Sequence, residues 1–327
     1  MRIATPLKAT ALMAAALIAL TGCASSKTTA AAPDAPLETV KVGVIPVIGL
    51  IPHFVAIDQG FYEDHGLTVE QAPIPGGAAL VPALESGELN IGGTNPVSPM
   101  QAVEQGLDVK CIGELTRKTE EGGLPLVLAP ANDGVIKTGS DFEGKTVAVN
   151  TLANMHHIVA ASWIRENGGD PSKVNFQAVD FADMIPALLE ERVDAAMLDE
   201  PFGTIAAGQD IPVLDEAPFL AAIGEKPVMG CWVVSSEWAE SHPREVEAFI
   251  AAIADAEAYL AGQADDSEFR RILVDQLELD PALAESVILP EVISQASEDD
   301  YKAWQDEAVA FGFMNGPIDI ANLMGDR

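Results

Sequence analysis

Two polar loops, each following a short apolar strand, carry the residues best suited to bind a small molecule. The first loop, Thr151–Asn154, follows the β-branched run Thr146–Asn150 and precedes a helical pattern. The second, Asp199–Phe202, follows the predicted strand Ala195–Leu198. Ligands of open α/β sheets collect at the carboxyl ends of the strands. Both loops are therefore predicted to lie at a binding edge, where hydroxyl, amide and carboxylate groups offer hydrogen bonds.

Within these loops, several polar side chains have more than one possible role. Asn150, Thr151 and Asn154 lie where a helix is predicted to begin, and such side chains cap helices by accepting backbone N–H hydrogen bonds. The free N–H groups of a helix start also suit an anion, so capping alone and capping with ligand contact both stay open. Asp199 and Glu200 either accept hydrogen bonds from an amino-bearing ligand or form a solvated turn.

Alternating strands and helices are predicted to position the loops. The predicted strands of the first half are Val40–Val47, Leu67–Ala72, Asn90–Gly93 and Val109–Leu115, and helices begin near Pro52, Ala78 and Val97. This alternation favours a parallel sheet with crossover helices. Gly122–Leu128 and Val228–Val234 are predicted to be extended crossovers between two halves of the chain. The acidic tail, Asp266–Arg327, is predicted to be mostly helical, to lack strand partners and to pack on the first half.

The pattern of the first half recurs in the second half. Four pairs share one offset of 104 residues (145 − 41, 157 − 53, 186 − 82, 193 − 89): Lys41 with Lys145, His53 with His157, Pro82 with Pro186, and Leu89 with Val193. One offset that holds over several elements indicates a repeated unit. The alternative is that the boundaries of ordinary β/α units align by chance. The repeat predicts two similar α/β lobes. It makes Val47–Ile51 equivalent to Thr151–Met155, and Thr94–Pro96 equivalent to Leu198–Glu200.

The N-terminus has the pattern of a targeting segment. Basic residues precede the apolar run Ala11–Leu20, which is too short to span a membrane. The sequence Leu20-Thr21-Gly22-Cys23 resembles the bacterial lipobox, and the resemblance implies removal of residues 1–22 and lipid attachment at Cys23. A plain signal peptide with a chance cysteine is the alternative. Residues 23–39, rich in Ala, Ser, Thr and Pro, are predicted to form a flexible tether.

Composition narrows the classes of partner. The 327 residues suggest about two domains, and a hydrophobic fraction of 48% supports real cores. The formal net charge of −32 argues against nucleic acid, whose phosphates require a basic face. An exported protein can hold a disulfide. Cys111 and Cys231 lie in apolar, strand-like runs, so a disulfide and two buried free thiols both stay open.

A set of stretches, weak singly but specific together, carries a family resemblance. These are His53–Val69 (HFVAIDQGFYEDHGLTV), Ala83–Asn90, Phe142–Val149, Val193–Phe202, Val233–Ser236 and His242-Pro243. Together they resemble the substrate-binding proteins of ABC importers, in the group for nitrate, sulfonate, taurine or thiamine precursors. The resemblance implies an α/β, type II-like periplasmic-binding-protein fold, in which each of two lobes is a doubly wound sheet with flanking helices.

The resemblance also implies how the molecule is divided and how it works. The implied lobes are residues 40–126 plus 232–327, and residues 127–231, with hinge strands near Leu124–Ala129 and Gly230–Val234. A monomer outside the cytoplasmic membrane, held by its lipid anchor, would close on a small molecule and deliver it to an ABC permease and its ATPase. No cofactor and no enzymatic activity are implied.

Candidate ligand-binding residues follow from these loops and their repeat equivalents. They are Ile48, Gly49, His53, Gly76, Gly77, Thr94, Asn95, Asn150, Thr151, Asn154, Asp199, Glu200 and Trp232. Gly76-Gly77 either lets a ligand approach the backbone or forms a tight turn. His53 and Trp232 either wall the site or belong to the core. The adjacent His156 and His157 point to different helix faces, so no metal site is expected.

The sequence leaves alternatives for the class of ligand and for the function of the protein. The predicted cleft loops offer carboxylates but no Arg or Lys, which favours a small organic molecule, aromatic, heterocyclic or sulfonate-like, over nitrate. A sensor that hands its ligand to a membrane receptor is a second hypothesis, and genes for a permease or a kinase nearby would discriminate. A pyrimidine-precursor enzyme of the same fold is a third, although the cysteine-rich motif of those enzymes is missing from this sequence.

Overall fold

The computed structural model describes residues 36–117, 126–131, 135–215, 223, 227–263, 265–293 and 295–325. The signal segment, Cys23, most of the tether and part of the first crossover lie outside these ranges. The strands are β1 Val40–Val44, β2 Val69–Pro73, β3 Ile91–Thr94, β4 Val109–Glu114, β5 Thr116–Arg117, β6 Leu126–Pro130, β7 Thr146–Val149, β8 Asn175–Ala178, β9 Ala195–Asp199, β10 Cys231–Ser235 and β11 Glu291–Val292.

Helices connect and cover these strands. They are α1 Ile51–Asp58, α2 Phe61–Asp64, α3 Gly77–Glu85, α4 Val97–Glu104, α5 Met155–Glu166, α6 Phe181–Leu189, α7 Phe202–Gly208, α8 Ser236–Ser241, α9 Pro243–Ala261, α10 Ser267–Leu277, α11 Pro281–Ala284, α12 Glu298–Ala310 and α13 Ile320–Met324. Short 3₁₀ turns occur at Ile48–Leu50, Gly139–Phe142 and Pro171–Lys173. Across the described ranges, no helix combines the length and apolarity that a membrane crossing requires.

The first sheet has the strand order β2-β1-β3-β10-β4. Strands β1, β2 and β3 are parallel, whereas β10 runs antiparallel to both β3 and β4. Strand β3 is buried along its whole length, and β1 is buried at every residue except Lys41. Near-continuous burial is expected for central parallel strands, because crossover helices cover both faces. The alternating β/α prediction for this half is therefore confirmed.

The second sheet repeats this arrangement in the order β6-β9-β7-β8. Strands β7, β8 and β9 are parallel, and β6 is antiparallel to β9. Helices α3 and α6 begin 104 residues apart and also end 104 residues apart (181 − 77, 189 − 85). Helices α1 and α5 begin 104 residues apart as well (155 − 51). The predicted internal repeat is confirmed by this shared order of elements.

One detail of the repeat was misaligned by the sequence. In the first sheet Val42 pairs with Ile91, whereas in the second sheet Val147 pairs with Ala195. The first strands are therefore offset by 105 residues (147 − 42), while the third strands keep 104 (195 − 91). The structural equivalent of Lys41 is Thr146 rather than Lys145. The cause is one extra residue between β1 and α1 compared with the segment between β7 and α5.

Strand β10 ties the return crossover into the first sheet. Its residue Cys231 forms a disulfide with Cys111 of β4, with the two Cα atoms 5.7 Å apart. The choice between a disulfide and two thiols, left open by the sequence, is thereby settled. Trp232 and Val234 of β10 face one hydrophobic core, whereas Cys231 and Val233 face the other. Both faces of the sheet are consequently covered.

The C-terminal tail packs more widely than its sequence predicts. Helix α10 contacts α1, and α12 and α13 contact α4, as expected for packing on the first half. However, α11 also contacts α7, and α12 contacts α5. The prediction that the tail lacks strand partners is wrong, because β11 pairs antiparallel with β5. The chain continues past β4 as an extended segment whose backbone groups require partners, and β11 supplies them.

Candidate functional site

A small cavity of about 30 Å³ lies between the carboxyl-terminal edges of the two sheets. We call it the cleft cavity; it has room for roughly one or two water molecules. The segments after β1, β3, β7 and β9 surround it, together with Leu115 after β4, Phe181 at the start of α6 and Met229 before β10. Its lining residues are Ile45, Val47, Gly49, Leu50, Thr94, Asn95, Leu115, Asn150, Met155, His156, Phe181, Asp199 and Met229.

Asp199 and His156 form the charged centre of the cleft cavity. His156 Nε2 lies 3.0 Å from Asp199 Oδ2, and the two side chains are 5% and 8% exposed, respectively. Burial raises the pKa of Asp199 above its usual value, although the contact with His156 opposes the shift. Within the described part of the chain, Asp199 Oδ1 and His156 Nδ1 have no hydrogen-bond partner. Unsatisfied buried polar atoms are costly, so these two point to a ligand or water in the cavity.

The chemistry of this pair favours a ligand that donates hydrogen bonds. An ionised carboxylate is acceptor-only, so Asp199 Oδ1 can bind an N–H or O–H group. In the tautomer whose Nε2–H donates to Asp199, the Nδ1 atom of His156 is also an acceptor. Within the described ranges, no Lys or Arg lines the cleft cavity. An amino or amide nitrogen satisfies both atoms, whereas an isolated anion would face an uncompensated carboxylate.

Asn150 and Asn154 form a linked pair at the start of α5. The Asn154 side chain accepts from the backbone N–H of His157 at 3.1 Å, which caps the helix. Its Nδ2 donates to Asn150 Oδ1 at 2.9 Å. Asn150 lines the cleft cavity, and Asn154 does not. Asn154 therefore holds in position the amide that faces the cavity, while it also caps α5.

The first sheet contributes a hydroxyl and amide cluster opposite. Asn95 Oδ1 accepts from the backbone N–H groups of Val97 and Ser98, which caps α4. Its Nδ2 donates to Ser98 Oγ at 2.9 Å and to Thr94 Oγ1 at 3.3 Å. Gly77 packs against this cluster, where an added Cβ would collide with the Ser98 and Thr94 hydroxyls. Close packing, rather than an unusual backbone conformation, therefore excludes larger side chains at Gly77.

Direct contacts join the two edges around the cleft cavity. The backbone N–H of Ile48 donates to the Glu200 carbonyl at 2.9 Å. Gln101 Nε2, on α4, donates to the carbonyl of Ala153 at 2.8 Å. Gly76 lies so close to the other edge that an added Cβ would be 2.6 Å from Thr151 Oγ1. The two edges thus enclose the cavity.

The Glu200 side chain points away from the cleft cavity. It lines a separate cavity of about 340 Å³ beside α7 and α11. The carboxylate accepts from Thr204 N at 3.1 Å and from Thr204 Oγ1 at 3.0 Å, and the backbone N–H of Ile288 also faces it. Burial raises the pKa of Glu200 to about 7. Glu200 therefore links the second sheet to the tail, and only its carbonyl takes part in joining the two edges.

His53 and Trp232 lie in an aromatic cluster behind the cleft cavity. His53 is fully buried, its Nδ1 lies 2.7 Å from the Tyr62 hydroxyl, and its ring packs against Trp232 and Phe249. Burial lowers the pKa of His53 to about 3, so the ring is neutral. The six-membered ring of Trp232 and the Leu50 side chain both pack against Gly93, and of these two side chains only Leu50 lines the cleft cavity. Of the two alternatives left open by the sequence, core packing describes both residues.

The two adjacent histidines have separate environments. His157 Nδ1 accepts from the backbone N–H of Ala153 at 2.9 Å, and its ring packs between Phe176 and Phe313. Burial lowers the pKa of His157 to about 4. His156 instead reaches Asp199 in the cleft cavity. No group of three or more His, Cys, Asp or Glu side chains within the described ranges could hold a metal ion.

The structure brings part of the predicted set of residues together around one cavity. Of the predicted residues, Gly49, Thr94, Asn95, Asn150 and Asp199 line the cleft cavity. Ile48, Gly76 and Thr151 contact the opposite edge beside it, and Asn154 and Gly77 support lining residues.

Sequence reasoning missed His156, Met155 and Phe181 as lining residues. The available signal was their position, because Met155 and His156 open α5 and Phe181 opens α6, next to the predicted loops.

Comparison with known proteins finds similar sequences among periplasmic binding proteins. The taurine-binding periplasmic protein of Escherichia coli K12 is 27% identical over 202 residues, which cover 61% of this chain and 60% of that protein. The chain spans about three fifths of the length of the first relatives that it matches. Both relatives are binding proteins by name.

Solved structures give the fold. The alkanesulfonate-binding protein SsuA from Xanthomonas axonopodis pv. citri, bound to MOPS, superposes with a TM-score of 0.72 at 18% identity, covering 89% of this chain and 97% of that one. A Candida albicans protein described as having the generic periplasmic binding protein fold gives 0.69 at 18% identity, covering 88% and 94%. The fold of this chain is therefore the periplasmic-binding-protein fold. The family model described as NMT1/THI5 like matches residues 48–267, and the chain belongs to that family.

Proposed function

We propose that this protein is an extracytoplasmic solute-binding lipoprotein that captures a small organic molecule and delivers it to an ABC permease with its ATPase. The observation that carries the proposal is the cleft cavity, where Asp199 Oδ1 and His156 Nδ1 stay unsatisfied within the described residues. The two edges that enclose it come from two sheets that share the order of four strands, β2-β1-β3-β10 in the first and β8-β7-β9-β6 in the second. The taurine-binding and alkanesulfonate-binding relatives support the transport role.

The proposed working unit is a clamp of two lobes. The first lobe comprises residues 40–126 and 232–327, and the second comprises residues 127–231. Strands β6 and β10 carry the two connections, so a small change in their backbone angles would separate the edges. The contacts of Ile48 with Glu200 and of Gly76 with Thr151 would then exist only in the closed form. A ligand that binds both edges shifts the molecule towards closure by its differential affinity.

The proposed ligand contains a nitrogen that donates hydrogen bonds. Asp199 and His156 present acceptor atoms, and Phe181 and Met155 supply apolar surface beside them. This chemistry fits an amine, an amide or an amino-substituted heterocycle better than an inorganic anion. An aminosulfonate is also compatible, since its amino group can bind Asp199 while its sulfonate lies near the N–H groups at the start of α5.

The proposed location rests on the N-terminal sequence and on the periplasmic relatives. Cys23 would carry the lipid, and residues 23–39 would separate the folded part from the membrane. The anchored protein would be a monomer. Labelling of growing cells with a radioactive fatty acid tests this assignment. Label that is present in the wild type and missing after Cys23→Ser supports the anchor. Equal labelling of both proteins contradicts it.

A thermal-shift screen tests the binding function. The panel contains taurine, hexanesulfonate, nitrate, bicarbonate, 2-aminopyrimidine and 4-amino-5-hydroxymethyl-2-methylpyrimidine. A true ligand at about 100 times its Kd adds about 2.7 kcal/mol to the free energy of unfolding. Asp199→Asn is expected to weaken the shift, and Asp183→Asn, an exposed aspartate on α6, serves as the matched control. Equal shifts for both variants would exclude the cleft cavity as the binding site.

A further inference from the structure

A third cavity, of about 320 Å³, lies against the first sheet, between β4, β10 and α9. We call it the rear cavity. It shares no lining residue with the cleft cavity. Its volume is at the lower end of the range of about 300–1,000 Å³ typical of ligand pockets. The proposed transport function leaves this cavity unexplained.

Trp232 supplies an unsatisfied hydrogen-bond donor to the rear cavity. The side chain is 1% exposed, and its Nε1–H has no acceptor among the described residues. Gly113 pairs with Trp232 across the sheet and lines the same cavity. An added Cβ at Gly113 would lie 3.6 Å from Trp232 Cδ1, the atom bonded to Nε1. The donor edge of the indole is therefore at the cavity wall, where a ligand acceptor could satisfy it.

Glu257 supplies the opposite kind of group. It lies on α9 one turn after Ile253, on the stripe of the helix where Phe249 and Ile253 face the core. It has no hydrogen bond or ion pair with any residue that the structure describes. Burial and the nearby charge of Glu114 raise the pKa of Glu257 to about 7. Among the residues that the structure describes, no Lys, Arg or His lines the cavity to compensate the charge of Glu257.

Apolar side chains form the remainder of the rear cavity. Phe249 and Ile253 come from α9, and Ile112 comes from β4. Ile250, at 39%, is one of few large apolar side chains that are exposed in the described part of the chain. The small side chain of Ala254, which is exposed, leaves an entrance between Ile250 and Glu257. A ligand in the rear cavity would therefore place an apolar part against these side chains.

We propose that the rear cavity binds a small primary amine with an apolar body and one hydrogen-bond acceptor. The ammonium group pairs with Glu257, the acceptor receives the Trp232 Nε1–H, and the body packs between Phe249 and Ile253. Each part of this ligand satisfies a group that the protein leaves uncompensated. The site is separate from the proposed solute-binding cleft, and its occupant is a second ligand.

Calorimetric titration of the full chain with three related probes tests the proposal. Tyramine has the ammonium group and an acceptor, phenethylamine lacks the acceptor, and 4-ethylphenol lacks the ammonium group. Tyramine is expected to bind with one-to-one stoichiometry and more tightly than either analogue. Glu257→Gln is expected to weaken tyramine binding by at least about tenfold, because it removes a charge-assisted hydrogen bond. Ala254→Phe, which fills the entrance, is expected to abolish binding.

Two controls make the result decisive. Glu247→Gln changes an exposed glutamate on the same helix that does not line the cavity, and it is expected to leave the affinity unchanged. The indole ¹H–¹⁵N resonance of Trp232, assigned through Trp232→Phe, is expected to shift with tyramine and less with phenethylamine. No binding, or equal affinity of wild type and Glu257→Gln, overturns the proposal. Binding that is lost in Asp199→Asn but kept in Glu257→Gln would assign tyramine to the cleft cavity and also overturn it.

Discussion

The substitution Gly76→Ala tests whether closure of the two edges controls binding. Gly76 has a φ of 167°, an extended conformation that alanine also adopts, so the backbone itself opposes no side chain. The added methyl group would instead lie 2.6 Å from Thr151 Oγ1 and 3.0 Å from Asn150 Nδ2. These atoms belong to the opposite edge. If the edges separate in the free protein, the collision affects only the closed form.

The expected size of the effect follows from the crowding. Inserting a methyl group into a well-packed site costs about 1–3 kcal/mol. Because Thr151 is β-branched, only one of its other two χ1 rotamers would place neither the hydroxyl nor the methyl group at this position, so rotation offers limited relief. If the closed form alone carries this cost, ligand affinity falls by about 5- to 150-fold. The unfolding midpoint of the free protein is expected to change little.

The assay is calorimetric titration with the compound that gives the largest shift in the thermal screen. Thr151→Ala in the Gly76→Ala background is expected to restore much of the affinity, because the nearest remaining Thr151 atom would be Cβ at 3.8 Å. Thr151→Val keeps the branched shape of the side chain and serves as the matched control. Unchanged affinity in Gly76→Ala refutes the reasoning. Equal restoration by alanine and valine would refute the proposed collision.

Three further substitutions test other parts of the structure. Asn154→Asp keeps the cap acceptor but loses the donor to Asn150, so it is expected to weaken binding in calorimetry and to retain the roughly 1 kcal/mol of capping stability that Asn154→Ala loses in urea unfolding. The pKa of Glu200 is raised from 4.5 to about 7, so ionisation of this side chain opposes folding. The unfolding free energy of the wild type, measured relative to Glu200→Gln, is therefore expected to fall by about 3 kcal/mol between pH 4.5 and pH 7. A difference that stays constant with pH would contradict this assignment. Replacing Cys111 and Cys231 by serine opens a link across 120 residues and is expected to lower the unfolding free energy by about 2–5 kcal/mol in urea titration; an unchanged midpoint would contradict a structural role.

The strand ends were predictable because short-range signals mark them. Each predicted loop follows an apolar strand and precedes a helix start. This order of elements places the loops at the carboxyl-terminal edge of a parallel sheet. The internal offset then paired the loops of the two halves correctly at the helices. At the first strands it was wrong by one residue, because a single-residue difference in the loops before α1 and α5 has no distinct sequence signal. In a strand such a slip exchanges the two faces.

The roles of individual side chains were less predictable, because tertiary packing determines them. His53 and His157 are equivalent by sequence offset, yet one packs in an aromatic cluster and the other between two phenylalanines. His156 was considered only as a metal ligand, whereas its partner is Asp199, 43 residues away. A contact between residues so distant in sequence leaves no spacing pattern. The β11–β5 ladder escaped prediction for the same reason, since two residues form no periodic pattern.

Two residues at the end of β9, Asp199 and Glu200, connect the cleft cavity with the opposite edge and with the C-terminal tail. The Asp199 carboxylate faces the cleft cavity, the Glu200 carbonyl accepts from Ile48 on the opposite edge, and the Glu200 carboxylate faces the N–H of Ile288 in the tail. Two consecutive residues thus make contacts with three different parts of the molecule. A displacement of the tail would act on Glu200 and, through the same peptide, on the position of Asp199. The link to Ile48 is made by backbone atoms, so it survives side-chain substitution at either residue and fixes where the two edges meet. Under the proposed clamp mechanism, substitutions of the lining residues would change the preferred ligand, while this backbone contact between the two edges would be retained.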